Sequence, residues 1–171
     1  ADVSPWVGWV TAHNRGTGSS QPGYISFEII NSVPANNYID VYTTSPTKLN
    51  DGSWHYYVFT YDGSSKASGC EIYEDGVSLT LTTSKDTLTA SVLNNIPVSV
   101  GSRNYQRNFY NGILDEVLVS NTGRSAAWIK AGYESGRDHL IAYENEESGS
   151  NYDYVLRVVN QVANSWKINL K

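Results

Sequence analysis

Between Asp51 and Thr82 the chain reads DGSWHYYVFTYDGSSKASGCEIYEDGVSLTLT, and these residues leave little choice of local structure. Short runs alternating with a period of two are bounded by glycine, aspartate and serine, the pattern of antiparallel strands joined by turns. Alternation along Trp54 to Tyr61 sends Trp54, Tyr56, Val58 and Thr60 to one side and His55, Tyr57, Phe59 and Tyr61 to the other. Both sides are largely apolar, which predicts a strand sandwiched in the middle of a sheet. The turn DGSSKASG leads into a return strand over Cys70 to Glu74. Asp75 and Gly76, residue types that tolerate positive φ, then predict a type I′ hairpin into a partner strand over Val77 to Thr82.

The same punctuation recurs along the chain. Val7 to Ala12 and Tyr24 to Ile30 are rich in strand formers and are separated by HNRGTGSSQPG, whose glycines and proline exclude regular structure. YIDVYTT places Tyr38, Asp40 and Tyr42 on one face, expected to be wet, and Ile39 with Val41 on the other. PVSVG (97–101) and GILDEVLVS (112–120) are the next strand candidates. The pattern changes at GRSAAWIKAGYESG (123–136), where Ser125 as N-cap predicts a helix of about two turns through Trp128, Ile129 and Tyr133, closed by glycines. After the polar spacer ENEESGSN, strand character resumes in DYVLRVVN and SWKINLK. Trp54, Trp128 and Trp166 are expected in the core, and no repeat of solenoid length is visible.

Composition narrows the function classes. A chain of 171 residues fits one domain with a core of its own. With a net charge of -5 and no block of like charges, it lacks the basic footprint of a nucleic-acid binder. The single cysteine, Cys70, allows no intrachain disulfide and no four-ligand zinc site, and is expected to be a small buried hydrophobe. No run approaches the roughly 18 apolar residues of a membrane span. No signal segment opens the chain; with Ala1 first and no methionine, the sequence is expected to be a processed product or a trimmed piece. There is no N-x-S/T sequon. The 13 tyrosines against 3 phenylalanines suit half-wet positions.

Taken in order, LNDGSWHYYVFTYDGS, IYEDGV, VSVGSR, FYNGILDEVLVS and RSAAWIKAGY resemble the laminin G-like, concanavalin A-like domains of secreted bacterial and archaeal surface proteins. The likeness covers about Tyr24 to Ser135 and speaks for fold more than for ligand. It implies an all-β chain: an antiparallel jelly-roll β-sandwich with one short C-terminal helix, located outside the cell or on its surface. Residues 1–136 would form the sandwich, with opening strands fewer than the family normally has. Residues 137–171 would be a C-terminal strand extension packed on that sandwich or on a neighbouring chain. The family also implies a calcium ion near Asp115, whose alternative role is to hydrogen-bond a turn.

Hydrolase chemistry is not expected. Glycoside hydrolysis needs two carboxylates aimed at one bond. The acidic clusters Glu71, Glu74 with Asp75, Asp115 with Glu116, and Glu144, Glu146 with Glu147 do not alternate along a strand, and adjacent residues point to opposite faces. No G-x-S-x-G occurs, and His13, His55 and His139 lack recognisable partners. A sugar-binding site needs an aromatic platform beside groups that bond hydroxyls. Two loops offer that mixture: Trp9, His13, Asn14 and Arg15 in the first, and Arg103, Asn104, Tyr105, Arg107 and Tyr110 in the second, against the alternative that such tyrosines cover sheet edges. The sequence thus points to a non-catalytic module that recognises a polysaccharide or glycan. Its rival is a self-assembling structural subunit of a fibre or surface layer, joined to copies of itself by strand exchange, and the third reading is a spacer domain.

Overall fold

The computed structural model describes residues 7–13, 23–102, 109–139, 155–158 and 166–169. Four strands, β1 (Gly8–His13), β2 (Ile25–Ser32), β3 (Asn37–Thr43) and β7 (Leu81–Asp86), form one antiparallel sheet in the order β1-β2-β3-β7. A second sheet, β4-β5-β6, contains β4 (Tyr57–Tyr61), β5 (Cys70–Glu74) and β6 (Val77–Ser78). The stretch predicted as one strand from Val77 to Thr82 therefore divides. Its first half pairs with β5; after Leu79, whose N–H bonds Ile72 O at 2.8 Å, the chain crosses to pair with β3 in the other sheet.

Alternation decides what lies between the sheets. Ile25, Phe27 and Ile29 on β2, Ile39 and Val41 on β3, and Cys70 and Ile72 on β5 are buried in one cluster with Ala67 and Leu88. Tyr57, Phe59 and Tyr61 pack against it from β4, and the Phe27 and Phe59 rings meet across the sheets at 5.7 Å. Burial, aided by the carboxylates of Asp62 and Asp86, pushes the Cys70 thiol up to about 12, so it stays a neutral apolar filler.

The hairpin at Asp75 and Gly76 forms with φ of 53° and 77°, both positive as a type I′ turn requires. Helix α1 (Ala126–Gly136) rests on this turn. The Ser125 hydroxyl caps it by accepting from Trp128 N, Ile129 is fully buried beneath it, and Tyr56 stacks on Tyr133 with ring centroids 6.4 Å apart. A Cβ on Gly76 would lie 3.2 Å from Lys130 Cα, and L-residues other than Asn and Asp are strained at that φ. Gly76→Ala is thus expected to destabilise the fold by about 1–3 kcal/mol in urea unfolding.

Several expectations change. Trp54 is 68% exposed because the chain is still turning at Gly52, φ 84°, and β4 starts only at Tyr57. Trp128 is 41% exposed, since Ile129, one position further round the helix, takes the inward place. Within the described residues β4 is at a sheet edge, and its second apolar face is covered by α1 at Tyr56 rather than by another sheet. Residues 97–101 and 112–120 form no strand. Gly101 turns with φ 72° and Ser99 Oγ donates to Ser102 O, while Glu116, at φ 49°, breaks the second run in its middle. The two tail candidates pair with each other, as an antiparallel ladder of β8 (Val155–Val158) with β9 (Trp166–Asn169). The Trp166 side chain lies outside the described residues.

Candidate functional site

Where β4 turns into β5, the chain makes a cleft of about 330 Å³ lined by Thr60, Tyr61, Asp62, Ser68, Gly69, Glu71, Gly123 and Arg124. Strand pairing places Thr60 opposite Glu71, and a 3-10 turn over Ala67–Gly69 brings Ser68 and Gly69 beside Asp62. The lining is hydroxyl, carboxylate and guanidinium with one tyrosine, and the volume is at the lower end of ordinary ligand pockets, about 300–1,000 Å³.

Each polar group has a fixed position. The Asp62 carboxylate accepts from Ser64 N at 2.8 Å, and hydrogen bonds from the Ser64 side chain and backbone hold its pKa below the ordinary 3.8. Glu71 Oε2 accepts from Tyr73 OH at 2.5 Å and from Thr60 Oγ1 at 3.5 Å. Burial first, then the Glu71 carboxylate, push the Tyr73 hydroxyl up to about 12, so it remains a donor. The Arg124 guanidinium carbon sits 4.7 Å from the Trp128 ring centroid, a cation–π arrangement that restricts the side chain at the cleft wall. A Cβ at position 69 would come within 2.0 Å of Asp62 Oδ1, so a side chain there would displace the Asp62 carboxylate from its place in the cleft.

The face of the four-stranded sheet turned away from the cluster between the sheets carries a second polar row, although Ser26, Glu28 and Ile30 of β2 are themselves buried there. Register places Val10, Glu28, Asp40 and Lys85 in one row across β1, β2, β3 and β7, with Tyr38 and Tyr42 in the flanking rows. Lys85 Nζ lies 5.9 Å over the Tyr38 ring. Tyr38, Asp40 and Tyr42, expected to face water, are half-buried, and their partners Ile30, Glu28 and Ser26 on β2 are buried. The sequence reading missed Glu28 beside Asp40, because it sought carboxylates within one strand and these come from two. It also missed Asp62 and Arg124, which are far apart in sequence. The only hint was that each follows a strand candidate at a turn.

The residues expected to bind sugar divide. Arg103, Asn104, Tyr105 and Arg107, with Asn14 and Arg15, lie outside the described residues. Two of the candidates that are described do meet: His13, at the end of β1, contacts Tyr110 edge-to-face with ring centroids 5.6 Å apart. Trp9 sits on β1, an edge strand among the described residues, and is 48% exposed. Asp115, expected to hold calcium, accepts from Glu116 N at 2.8 Å, and the described residues contain no group of three or more His, Cys, Asp or Glu that could hold a metal ion.

His55 does have partners. Its Nε2 lies 2.9 Å from Asp51 Oδ1 and its Nδ1 2.9 Å from Asp75 Oδ2. With a carboxylate on each ring nitrogen, the imidazole has no nitrogen left to serve a nucleophile. His139 Nδ1 lies 3.7 Å from Glu134 Oε2 at the end of α1.

The family model described as the Concanavalin A-like lectin/glucanases superfamily matches residues 10–130, which include both sheets except the first two residues of β1, and the start of α1. No curated protein and no solved structure matches the chain.

Proposed function

The chain belongs to the concanavalin A-like lectin/glucanase superfamily, and from that premise we propose that it is a non-catalytic extracellular recognition module whose ligand is a polysaccharide or cell-surface glycan, carried on a jelly-roll sandwich. The observation that supports this most is the cleft at Asp62, Glu71 and Arg124. A pyranose offers hydroxyls in several directions and a patch of C–H groups. Asp62 and Glu71 would accept from hydroxyls, and Arg124 and the Thr60 and Ser68 hydroxyls would donate. Because Arg124 is already stacked on Trp128, binding would cost little of its side-chain freedom.

A glycan array probed with the intact chain tests this. Arg124→Ala is expected to weaken any ligand about tenfold or more, as the loss of charge-assisted bonds would. Gly69→Ala, which drives a methyl group into Asp62, is expected to weaken it as well, while Tyr105→Ala tests the second loop as the alternative site. Binding unchanged by Arg124→Ala and Gly69→Ala contradicts this site. Asp115 supplies at most a few of the about 6–8 oxygens that calcium takes. The calcium proposed there is tested by repeating the array in calcium and in chelator.

A second reading, self-assembly into a fibre or surface layer, is favoured by one observation. Leu93, Ile96, Val98, Val100, Phe109 and Ile113 are all more than half exposed, a run of apolar surface of the kind that meets protein. Light scattering behind size exclusion, on the full chain and on one ending at Glu147, separates the readings. A large assembly lost with the tail supports strand exchange, and a monomer in both cases contradicts it.

A further inference from the structure

The loop from Thr44 to Tyr56 meets the β5–β6 turn through one backbone bond, Asp75 N donating to Tyr56 O at 2.9 Å, and before Tyr56 through side chains. His55 bridges two carboxylates, Asp51 from its own loop and Asp75 from the turn, at 2.9 Å each. Asp75 also accepts from Tyr56 N through Oδ1 at 3.1 Å and pairs with Lys48 Nζ at 3.4 Å through Oδ2. The imidazole side chain is only 10% exposed. At the tip of the same loop, next to His55, is Trp54, 68% exposed.

An imidazole can donate from both nitrogens only as imidazolium. Once neutral, it carries one N–H, and its other nitrogen turns a lone pair toward a carboxylate oxygen. We propose that the Asp51–His55–Asp75 bridge is a proton-operated clasp, holding the Trp54 loop against the β5–β6 turn while His55 is charged and releasing it when the proton leaves.

The surrounding groups support that assignment. Facing His55 are Asp51, Asp75 with its Lys48 partner, and the Tyr57 ring with centroids 6.4 Å apart; Glu74 accepts from Tyr57 OH and Lys48 N. From α1, Lys130 and Tyr133 approach the turn at Gly76, and Lys130 is itself paired with Glu134 at 2.6 Å. Burial disfavours the charged imidazole, but hydrogen bonds and attraction from Asp75 and Asp51 outweigh it and raise the pKa above the ordinary 6.5. Asp75, despite its burial, is held below the ordinary 3.8, chiefly by His55 and Tyr56 N. A raised folded-state value means that the His55 contribution is complete below 6.5 and is lost as pH rises through the folded value. A lowered one means that the Asp75 contribution is present above 3.8 and is lost as pH falls. The clasp is therefore tightest between those limits and opens on the alkaline side.

NMR on the intact chain tests it, following the His55 ring protons and hydrogen exchange at the amides of 51–55. The expected result is a His55 midpoint above 6.5, with amide protection falling about tenfold across that midpoint after correction for intrinsic exchange, the effect of losing one charge-assisted bond. In His55→Gln, which cannot be charged, the fall is expected to vanish. Asp51→Asn, an exposed change that leaves the core intact, is expected to lower the midpoint and serves if His55→Gln fails to fold. A wild-type midpoint at or below 6.5, protection that does not follow it, or a midpoint unmoved by Asp51→Asn would overturn the clasp.

Discussion

Ile72→Ala is expected to lower the unfolding free energy by about 2–5 kcal/mol in urea denaturation, the range for a large aliphatic residue truncated in a packed core. Ile72 sits in the middle of β5, has no exposed surface, and lies in the cluster that joins Phe27, Ile29 and Val41 of one sheet to Phe59 of the other. Removing its outer carbons costs their transfer free energy and leaves a cavity that two hydrogen-bonded sheets cannot easily collapse. In a chain of this size the loss corresponds to a fall of about 2–4 °C in Tm per kcal/mol. Thr82→Ala, on the outer face of β7, should stay within about 0.5 kcal/mol. A loss below about 1 kcal/mol for Ile72→Ala would mean that the two sheets do not pack face to face.

The second large effect is expected at Asp75. Asp75→Ala should cost about 2–4 kcal/mol, because it removes the acceptor of Tyr56 N and of His55 Nδ1 and places alanine at φ 53°. Asp75→Asn separates these causes. Asparagine tolerates the left-handed conformation and keeps an acceptor for Tyr56 N, but it loses the charge that faces His55 and Lys48. It should recover more than half of the loss and shift the His55 titration downward. Equal losses for the two variants would show that charge, rather than turn geometry, holds the hairpin.

Much of this was legible in the sequence, for identifiable reasons. Alternation in ISFEII and YIDVYT predicted β2 and β3 because a two-residue period has one solution when a face is buried. Asp75-Gly76 predicted the type I′ turn because few residue pairs accept two positive φ angles. The helix was legible from Ser125 and the change in spacing that follows it. Trp54 and Trp128 were misplaced, because size and apolarity favour burial in general while a turn at Gly52 and one step of helix phase decide it in particular. The run 112–120 has strand composition, yet Glu116 at φ 49° interrupts it, and nothing in the residue type announces a left-handed glutamate.

The candidate site was less legible than the fold. Arg124 lines the same cleft as Glu71 because the segment leading into α1 passes beside the end of β4, where a Cβ on Gly123 would lie 3.9 Å from Tyr61 O, and the two residues are more than fifty positions apart. His55 seemed partnerless because its carboxylates are contributed on either side of a strand, from Asp51 and Asp75. Side-chain constellations assembled across a sandwich leave little trace in local spacing, whereas turns and alternation are local by nature.

The most direct test of the central claim is residue-resolved: a ¹⁵N-labelled sample of the intact chain titrated with the strongest array glycan, reading amide shifts. Saturable shifts centred on Thr60, Ser68, Gly69, Glu71 and Arg124, and abolished by Arg124→Ala, are the predicted result. Shifts confined to Trp9, His13 and Tyr110, or no saturable shift with any array glycan, would contradict glycan recognition at the β4–β5 cleft.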